Sequence, residues 1–244
     1  MAKHKRRDQN VINFNDLKKD TPLRINRKIK VEIVPRNIAQ ENYVEKLNDA
    51  YNRIIFAVGP AGTGKTMLAV LKAIEMLKAG EITRIVITRP AVGAAGEDHG
   101  FLPGDINQKM EPWLLPILDI LEEYWTSKEI ANMVADKTIE FAPLMYMRGR
   151  TFKNTCILAD EIQNTTASSM KMLLTRIGEN SRMFVTGDLD QSDLGDKNGL
   201  KNFTDILQRK DTKLIKYVKF EDKDVERSEI VKEVLDLYRE YAET

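Results

Sequence analysis

The sequence predicts an α/β protein in which one mainly parallel sheet is flanked by helices. Short apolar runs of strand length alternate with longer stretches whose apolar residues recur at helical spacing, an order typical of parallel sheets. One of these runs ends in a glycine-rich loop that opens directly into a helical stretch, as in sheets that bind phosphates at a strand end. The 244 residues contain no internal repeat or linker, so we expect one domain.

The elements follow from these patterns in chain order. Residues 1–22 are polar and basic, and we expect them to form a mobile arm ahead of a domain over 23–244. Alternating apolar residues predict a strand or hairpin over 23–35, and helical spacing predicts helices over about 38–51, 67–80 and 224–242. Buried strands are predicted at RIIFAVGP, RIVIT, CILAD and RMFVTGD, with KLIKYVKF as a further strand.

The charge is unevenly distributed. Residues 1–36 carry a balance of +7 and the remainder −6, which together give the net charge of +1. A basic arm is either a nucleic-acid contact or a solvated tail.

Composition excludes several classes of protein. No apolar run approaches the roughly 20 residues of a membrane span, and the start MAKHKRRDQN has no apolar core of the kind that directs export. The single cysteine, Cys156, predicts a small core side chain in a reducing cytoplasm. His4 and His99 lie too far apart to indicate a zinc site.

The segment GPAGTGKT matches the phosphate-binding pattern G-x-x-x-x-G-K-[ST] between a predicted strand and a predicted helix. Its glycines allow backbone N–H groups to turn inward around phosphates, next to the positive end of the helix. We expect Lys65 to reach the β- and γ-phosphates and the Thr66 hydroxyl to ligate Mg²⁺. The predicted nucleotide-binding residues are Gly59, Pro60, Ala61, Gly62, Thr63, Gly64, Lys65 and Thr66.

Two further strands are predicted to end in polar residues. CILAD ends at Asp160 and Glu161, and an acid at a strand end beside a phosphate loop holds the Mg²⁺ shell while the next glutamate activates water. RMFVTGDLDQ ends with Asp188 and Gln191, which we expect to sense the γ-phosphate. One helix length separates the two strands, so we expect them to be neighbours in the sheet.

In this order the motifs resemble the PhoH family of P-loop ATPases, which is related to the superfamily 1 helicase core. Besides GPAGTGKT, the resemblance rests on TRPAV with GFLPGD, MRGRTF, LADEIQNTT, LTRIG and VTGDLDQSDL. It extends from about Pro35 to Tyr238, and EDHGFLPGD with QKMEPW is most similar to bacteriophage-type members. A phage-encoded member would act in the host cytoplasm.

The resemblance implies a single RecA-like P-loop domain that binds and hydrolyses ATP with Mg²⁺ and acts on RNA or single-stranded nucleic acid. By the same resemblance, Gln40 in AQENY reads the adenine edge, and the loop after Arg89 lies against a nucleic-acid backbone. The segment DVERS keeps the family's arginine as Arg227 but has Ser228 where the family has histidine. Some members carry a separate nuclease domain, and we expect no nuclease activity here because the 244 residues leave no room for one.

Superfamily 1 helicases use a second domain to supply an arginine to the γ-phosphate. Since only one P-loop domain is predicted here, we expect a neighbouring copy in a head-to-tail homo-oligomer, a hexameric ring, to supply it. Arg227 is the first choice for that arginine and Arg176 in LTRIG the second. The alternative for Arg227 is that it caps the C-terminal helix or forms a salt bridge with it.

Two other functions remain open from the sequence. A small-molecule kinase clamps phosphates with lid arginines, which Arg148 and Arg150 could imitate, although Glu161 suits water activation better. A nucleotide-dependent scaffold with little turnover is the third possibility.

Overall fold

The computed structural model describes residues 29–90 and 106–226 and, beyond them, the helical positions 230, 233 and 234. Six strands form one sheet: β1 Ile54–Val58, β2 Arg84–Thr88, β3 Ile139–Phe141, β4 Thr155–Ala159, β5 Arg182–Gly187 and β6 Ile215–Lys219. Over residues 29–90 and 106–226, six α-helices surround it: α1 Ile38–Asn48, α2 Lys65–Lys78, α3 Ile106–Glu122, α4 Ser127–Ala135, α5 Ala167–Leu174 and α6 Gly199–Arg209.

The strands are ordered β3-β2-β4-β5-β1-β6, and every neighbouring pair is parallel. This confirms the α/β class and the predicted pairing of β4 with β5. In this order four adjacent strands, β2, β4, β5 and β1, send their carboxyl ends to one edge. Loops at that edge of an open sheet surround ligand crevices.

The core has two layers because the central strands are buried on both faces. Side chains of α1–α4, such as Tyr43, Leu68 and Ile117, pack on one face with Ile55 and Leu158. The other face is covered by α5 and α6 through residues that include Met170, Leu173 and Leu200. Within the described residues, no helix is both long and apolar enough to cross a bilayer.

Cys156 behaves as predicted for a core side chain. It is fully buried on β4, and burial raises the pKa of its thiol from 9.0 to about 12. The thiol therefore stays protonated at neutral pH and is a poor nucleophile.

Two predicted elements differ from the structure. Residues 29–35 form no strand, and 23–28 lie outside the described residues. Val31 and Ile33 pack on the core from an extended segment, and the Lys78 ammonium donates to the Ile29 carbonyl (2.9 Å). The alternating pattern therefore reflects alternating burial without a strand partner.

The first helix ends at Asn48, three residues before the predicted Tyr51. The buried Arg182 guanidinium donates to the carbonyls of Leu47 (2.7 Å) and Asp49 (3.0 Å), and so caps the helix from β5. The predicted closing helix is described only at positions 230, 233 and 234, and the basic arm lies outside the described residues.

Candidate nucleotide-binding site

Three polar side chains and the glycine loop meet at the carboxyl edge of the sheet. They follow four adjacent strands: Arg89 follows β2, Asp160 follows β4, Asp188 follows β5, and Gly59 opens the loop after β1. The spacing of strands along the sequence does not show this adjacency, because β4 and β5 are inserted between β1 and β2.

The glycine loop has the backbone shape that its motif predicts. Gly64 lies at the start of α2 with φ of +78°, and a Cβ there would approach Gln40 Nε2 to 2.9 Å. A Cβ on Gly59 would lie 2.3 Å from the Phe220 carbonyl oxygen, so the chain after β6 closes tightly over the loop. The resulting concave backbone fits a phosphate chain.

Lys65 turns its ammonium back into this loop. Its Nζ donates to the carbonyls of Gly59 (2.7 Å) and Pro60 (2.6 Å) and to Thr63 Oγ1 (3.0 Å). Burial lowers the pKa of Lys65, and the negative charges of Asp188, Glu161 and Asp160 oppose that shift. The loop therefore holds a buried positive charge where phosphates would lie.

Asp160 is the meeting point of three elements. Its Oδ1 accepts from the Thr66 hydroxyl (2.6 Å) at the start of α2 and from the Thr186 hydroxyl on β5. Its Oδ2 accepts from Arg89 Nε (2.7 Å) and from Arg89 Nη2. The carboxylate is nearly inaccessible to solvent, at 2% exposure.

Thr66 and Asp160 together fit a magnesium ion. Hydroxyl and carboxylate oxygens are the donors that Mg²⁺ prefers, and this pair is already in hydrogen-bond contact. In the part of the chain that the structure describes, no three His, Cys, Asp or Glu side chains cluster as metal ligands. A metal bound here would therefore take its other ligands from water and nucleotide phosphates.

Glu161 has an unusual backbone conformation. Its φ of +55° and ψ of 44° are left-handed, a conformation that costs a side-chain-bearing residue about 1–3 kcal/mol and is found repeatedly at functional sites. Gln163 Nε2 donates to Glu161 Oε2 (2.7 Å). The carboxylate is thereby held beside the loop at a fixed orientation.

Gln163 was not predicted as a site residue, although it lies three positions after Asp160 in the same turn. Its other amide atom, Oε1, accepts from the Asp188 backbone N–H (3.2 Å). Gln163 thus links the ends of β4 and β5. The signal that could have identified it was the close pairing of these two strand ends.

Asp188 contacts the phosphate loop directly. Its Oδ2 accepts from the Ala61 backbone N–H (3.2 Å) and from Gln191 Nε2 (2.9 Å). Gln191 is itself exposed and contacts the loop only through Asp188. At this strand end Asp188 thus lies nearest the loop, and the sensing of the γ-phosphate by Asp188 and Gln191 stays a prediction.

Gln40 supports the loop from the side of α1. It is 1% exposed, its Nε2 donates to the Thr63 carbonyl (3.1 Å), and its Oε1 accepts from the Arg36 N–H (2.8 Å). The described contacts of Gln40 are therefore with protein backbone, and its reading of the adenine edge stays a prediction.

Of the two arginines predicted to serve a neighbouring copy, only Arg176 lies within the described residues. Arg227 and the loop over 91–105 lie outside the described residues. Arg176 donates to the carbonyls of Met172 (3.0 Å) and Arg150 (2.9 Å), after α5 has returned to the opposite edge of the sheet. These contacts engage its guanidinium within its own chain, which argues against its role as an arginine supplied to a neighbour.

Several known proteins are similar to this chain over most of its length. The family model described as PhoH-like protein matches residues 32–239. A PhoH-like protein of Mycobacterium tuberculosis is 46% identical over 213 residues, which are 86% of this chain and 59% of that protein. The Bacillus subtilis PhoH-like protein is 42% identical over 83% of this chain and 63% of its own length. Protein PhoH of Escherichia coli is 39% identical over 84% and 58%, so this chain spans about three fifths of these relatives.

Two solved structures are similar at low sequence identity. The Sulfolobus solfataricus SWI2/SNF2 ATPase core in complex with dsDNA has a TM-score of 0.39 at 12% identity, over 66% of this chain and 34% of that one. The Pyrococcus furiosus Hef helicase domain has a TM-score of 0.40 at 13% identity, over 75% and 38%. The fold assignment above depends on the sheet itself.

Proposed function

This chain belongs to the PhoH family of P-loop nucleoside-triphosphatase-like proteins, and from that premise we propose that it binds and hydrolyses ATP with Mg²⁺ while acting on single-stranded RNA or DNA. The observation that carries the hydrolytic part is the contact between Thr66 Oγ1 and Asp160 Oδ1 (2.6 Å), with Lys65 and Glu161 next to them in the chain. This is the arrangement that phosphoryl transfer to water requires.

Each residue at the edge has a distinct role in this reaction. Lys65 binds the β- and γ-phosphates through its ammonium, and Thr66 with Asp160 holds the metal, which when bound neutralises charge on phosphate oxygens. Among the described groups, only Gln163 donates to the Glu161 carboxylate. Glu161 Oε1 is therefore available to orient a water molecule and accept its proton.

The kinase alternative has little support from the arginines that suggested it. Arg150 forms two hydrogen bonds with Glu140 (2.6 and 2.9 Å) and lies over the Phe152 ring. It is thus part of a structural ion pair with β3. Arg148 is exposed, and no described contact places it at the phosphate loop.

The nucleic-acid part of the proposal is supported by a surface beside Arg89. Met145 and Tyr146 are 68% and 52% exposed in the turn after β3, next to the exposed Arg148. The Leu144 N–H donates to the Arg89 carbonyl (3.2 Å), which places this turn at the carboxyl edge. An exposed aromatic ring beside arginines suits base stacking and phosphate contact.

Single-stranded RNA or DNA is expected to stimulate ATP hydrolysis, and the stimulation should fall steeply as salt is added. Tyr146→Ala should raise the oligonucleotide concentration for half-maximal stimulation about tenfold, since stacking on one aromatic contributes about 1–3 kcal/mol. Tyr51→Ala is the matched control, because Tyr51 is 81% exposed just before β1, at the opposite edge.

The same hydrolysis assay separates the alternatives. Phosphoryl transfer to an added metabolite, with no response to nucleic acid, would favour a kinase. Nucleotide binding without turnover under any condition would favour a scaffold.

We also propose that copies assemble head to tail into a homo-oligomeric ring, hexameric in its expected form. Ile230 and Val234 lie one helical turn apart and are 63% and 43% exposed, which gives the closing helix an apolar strip for a second copy. If Arg227 serves the neighbouring site, mixing Lys65→Met subunits with Arg227→Ala subunits should restore hydrolysis at about a quarter of the interfaces of a randomly mixed ring.

That mixing experiment has a clear opposite outcome. The Glu226 N–H donates to the Gly62 carbonyl of its own phosphate loop (3.0 Å), so the residue preceding Arg227 contacts the site of the same chain. Absence of any restored hydrolysis, in samples shown by light scattering to be mixed oligomers, would mean that Arg227 does not act between copies.

A further inference from the structure

Arg89 joins two parts of the molecule that have separate proposed roles. Its guanidinium pairs with Asp160, the residue at the metal position, while its backbone carbonyl binds the turn that presents Tyr146. The Arg89 side chain is 17% exposed, so it lies between the buried carboxylate and the surface.

Asp160 requires a positive partner because it is almost fully buried. An unpaired buried carboxylate is strongly destabilising. Among the described residues, Arg89 is the cation that hydrogen-bonds to Asp160. A divalent cation beside Thr66 and Asp160 supplies the same compensation and repels the guanidinium, so the two cations compete for one carboxylate.

Once released from Asp160, the Arg89 guanidinium has another anionic partner under the proposed function, namely a phosphate of the bound single strand. Arg89 stays at the carboxyl edge because its carbonyl remains bonded to Leu144, beside Met145 and Tyr146. Guanidinium groups bind phosphate oxygens with paired hydrogen bonds. Bases that stack on Tyr146 would carry their phosphates past this position.

Building on the proposed function, we propose that Arg89 is a nucleic-acid contact controlled by the metal position. In the nucleotide-free protein Arg89 is held by Asp160. Mg²⁺ with nucleotide at Asp160 releases it to a phosphate of the single strand. The two ligands then favour each other's binding, since coupling between sites is reciprocal.

The test measures binding of a fluorescent oligothymidylate to the full chain by anisotropy, at constant Mg²⁺, with and without a non-hydrolysable ATP analogue. The analogue should tighten oligonucleotide binding by about fivefold or more. It should also make the slope of log affinity against log salt concentration more negative by about 0.7, as expected for one added phosphate contact. Arg89→Gln should lose both changes. Arg84→Gln is the control, because Arg84 begins the same strand and also faces a carboxylate, Glu140 (3.6 Å).

The outcomes separate this inference from the proposed function. Retention of the analogue-dependent gain by Arg89→Gln, or its absence in the wild-type chain, would overturn the inference while leaving nucleic-acid binding in place. If the wild-type chain binds no oligonucleotide even at low salt, the nucleic-acid partner is wrong as well. Should Arg89→Gln unfold, Arg89→Lys keeps the charge without the paired geometry, and an analogue-dependent gain equal to wild type would then contradict the inference.

Discussion

Replacing Glu161 with glutamine is expected to slow ATP hydrolysis by about 10²- to 10⁴-fold while leaving nucleotide affinity nearly unchanged. The amide has the size of the carboxylate but cannot accept a proton from water. Lys65, Thr66 and Asp160, which we propose to bind the phosphates and the metal, keep their contacts. Steady-state phosphate release and binding of a fluorescent ATP analogue measure the two quantities separately.

Two comparisons make this result specific. Glu123→Gln removes an exposed glutamate at the end of α3 and should leave both quantities unchanged. The thermal unfolding midpoint of Glu161→Gln should also match that of wild type, because glutamine and glutamate are equally strained in a left-handed backbone. Hydrolysis at the wild-type rate would show that Glu161 is not the base.

The sequence located the site because its motifs are local. The loop from Gly59 to Thr66 and the pair Asp160 and Glu161 each follow a strand that short apolar runs predict. Parallel strands bring their carboxyl ends to one edge whatever their order, so these groups were bound to lie near each other.

The contacts between the strand ends could not be predicted from local motifs. Asp188 reaches Ala61, Gln163 joins Glu161 to Asp188, and Arg89 pairs with Asp160, each across neighbours that are distant in sequence. These pairs depend on the order β2-β4-β5-β1, which alternation of strands and helices does not determine. The sequence therefore predicts a nucleic-acid contact for Arg89 and the loop after it, but it does not predict that Arg89 pairs with Asp160.

The errors in the predicted secondary-structure elements also reflect what a local pattern cannot show. An alternating pattern reports alternating burial, and residues 29–35 satisfy it by packing Val31 on the core without a neighbouring strand. The three-residue strand β3 is too short to leave any pattern, yet the turn that follows it, which carries Tyr146, bonds the Arg89 carbonyl through Leu144.

Replacing Lys65 with methionine is expected to weaken ATP binding by about 10²- to 10³-fold, because truncating one partner of a buried charged pair costs about 2–5 kcal/mol. Hydrolysis should fall at least as far, since the same ammonium faces the charge that develops on the γ-phosphate. Calorimetric titration with the non-hydrolysable analogue measures the affinity. Lys72→Met is the matched control: Lys72 is also buried on α2, but it bonds Asn48 and Glu75 away from the loop.

The same substitution should also change how the stability of the nucleotide-free protein depends on pH. Burial lowers the pKa of Lys65 below its ordinary 10.5, so the folded state binds this proton less tightly than the unfolded state. Below the lowered pKa, the buried ammonium therefore decreases the free energy of unfolding, and this cost disappears as pH rises past the lowered value towards 10.5. Wild-type protein should therefore gain stability relative to Lys65→Met as the pH is raised past the lowered pKa, which thermal unfolding of both proteins over a series of pH values measures. A stability difference that does not change with pH would contradict the lowered pKa, and unchanged affinity for the analogue would show that Lys65 does not serve the nucleotide.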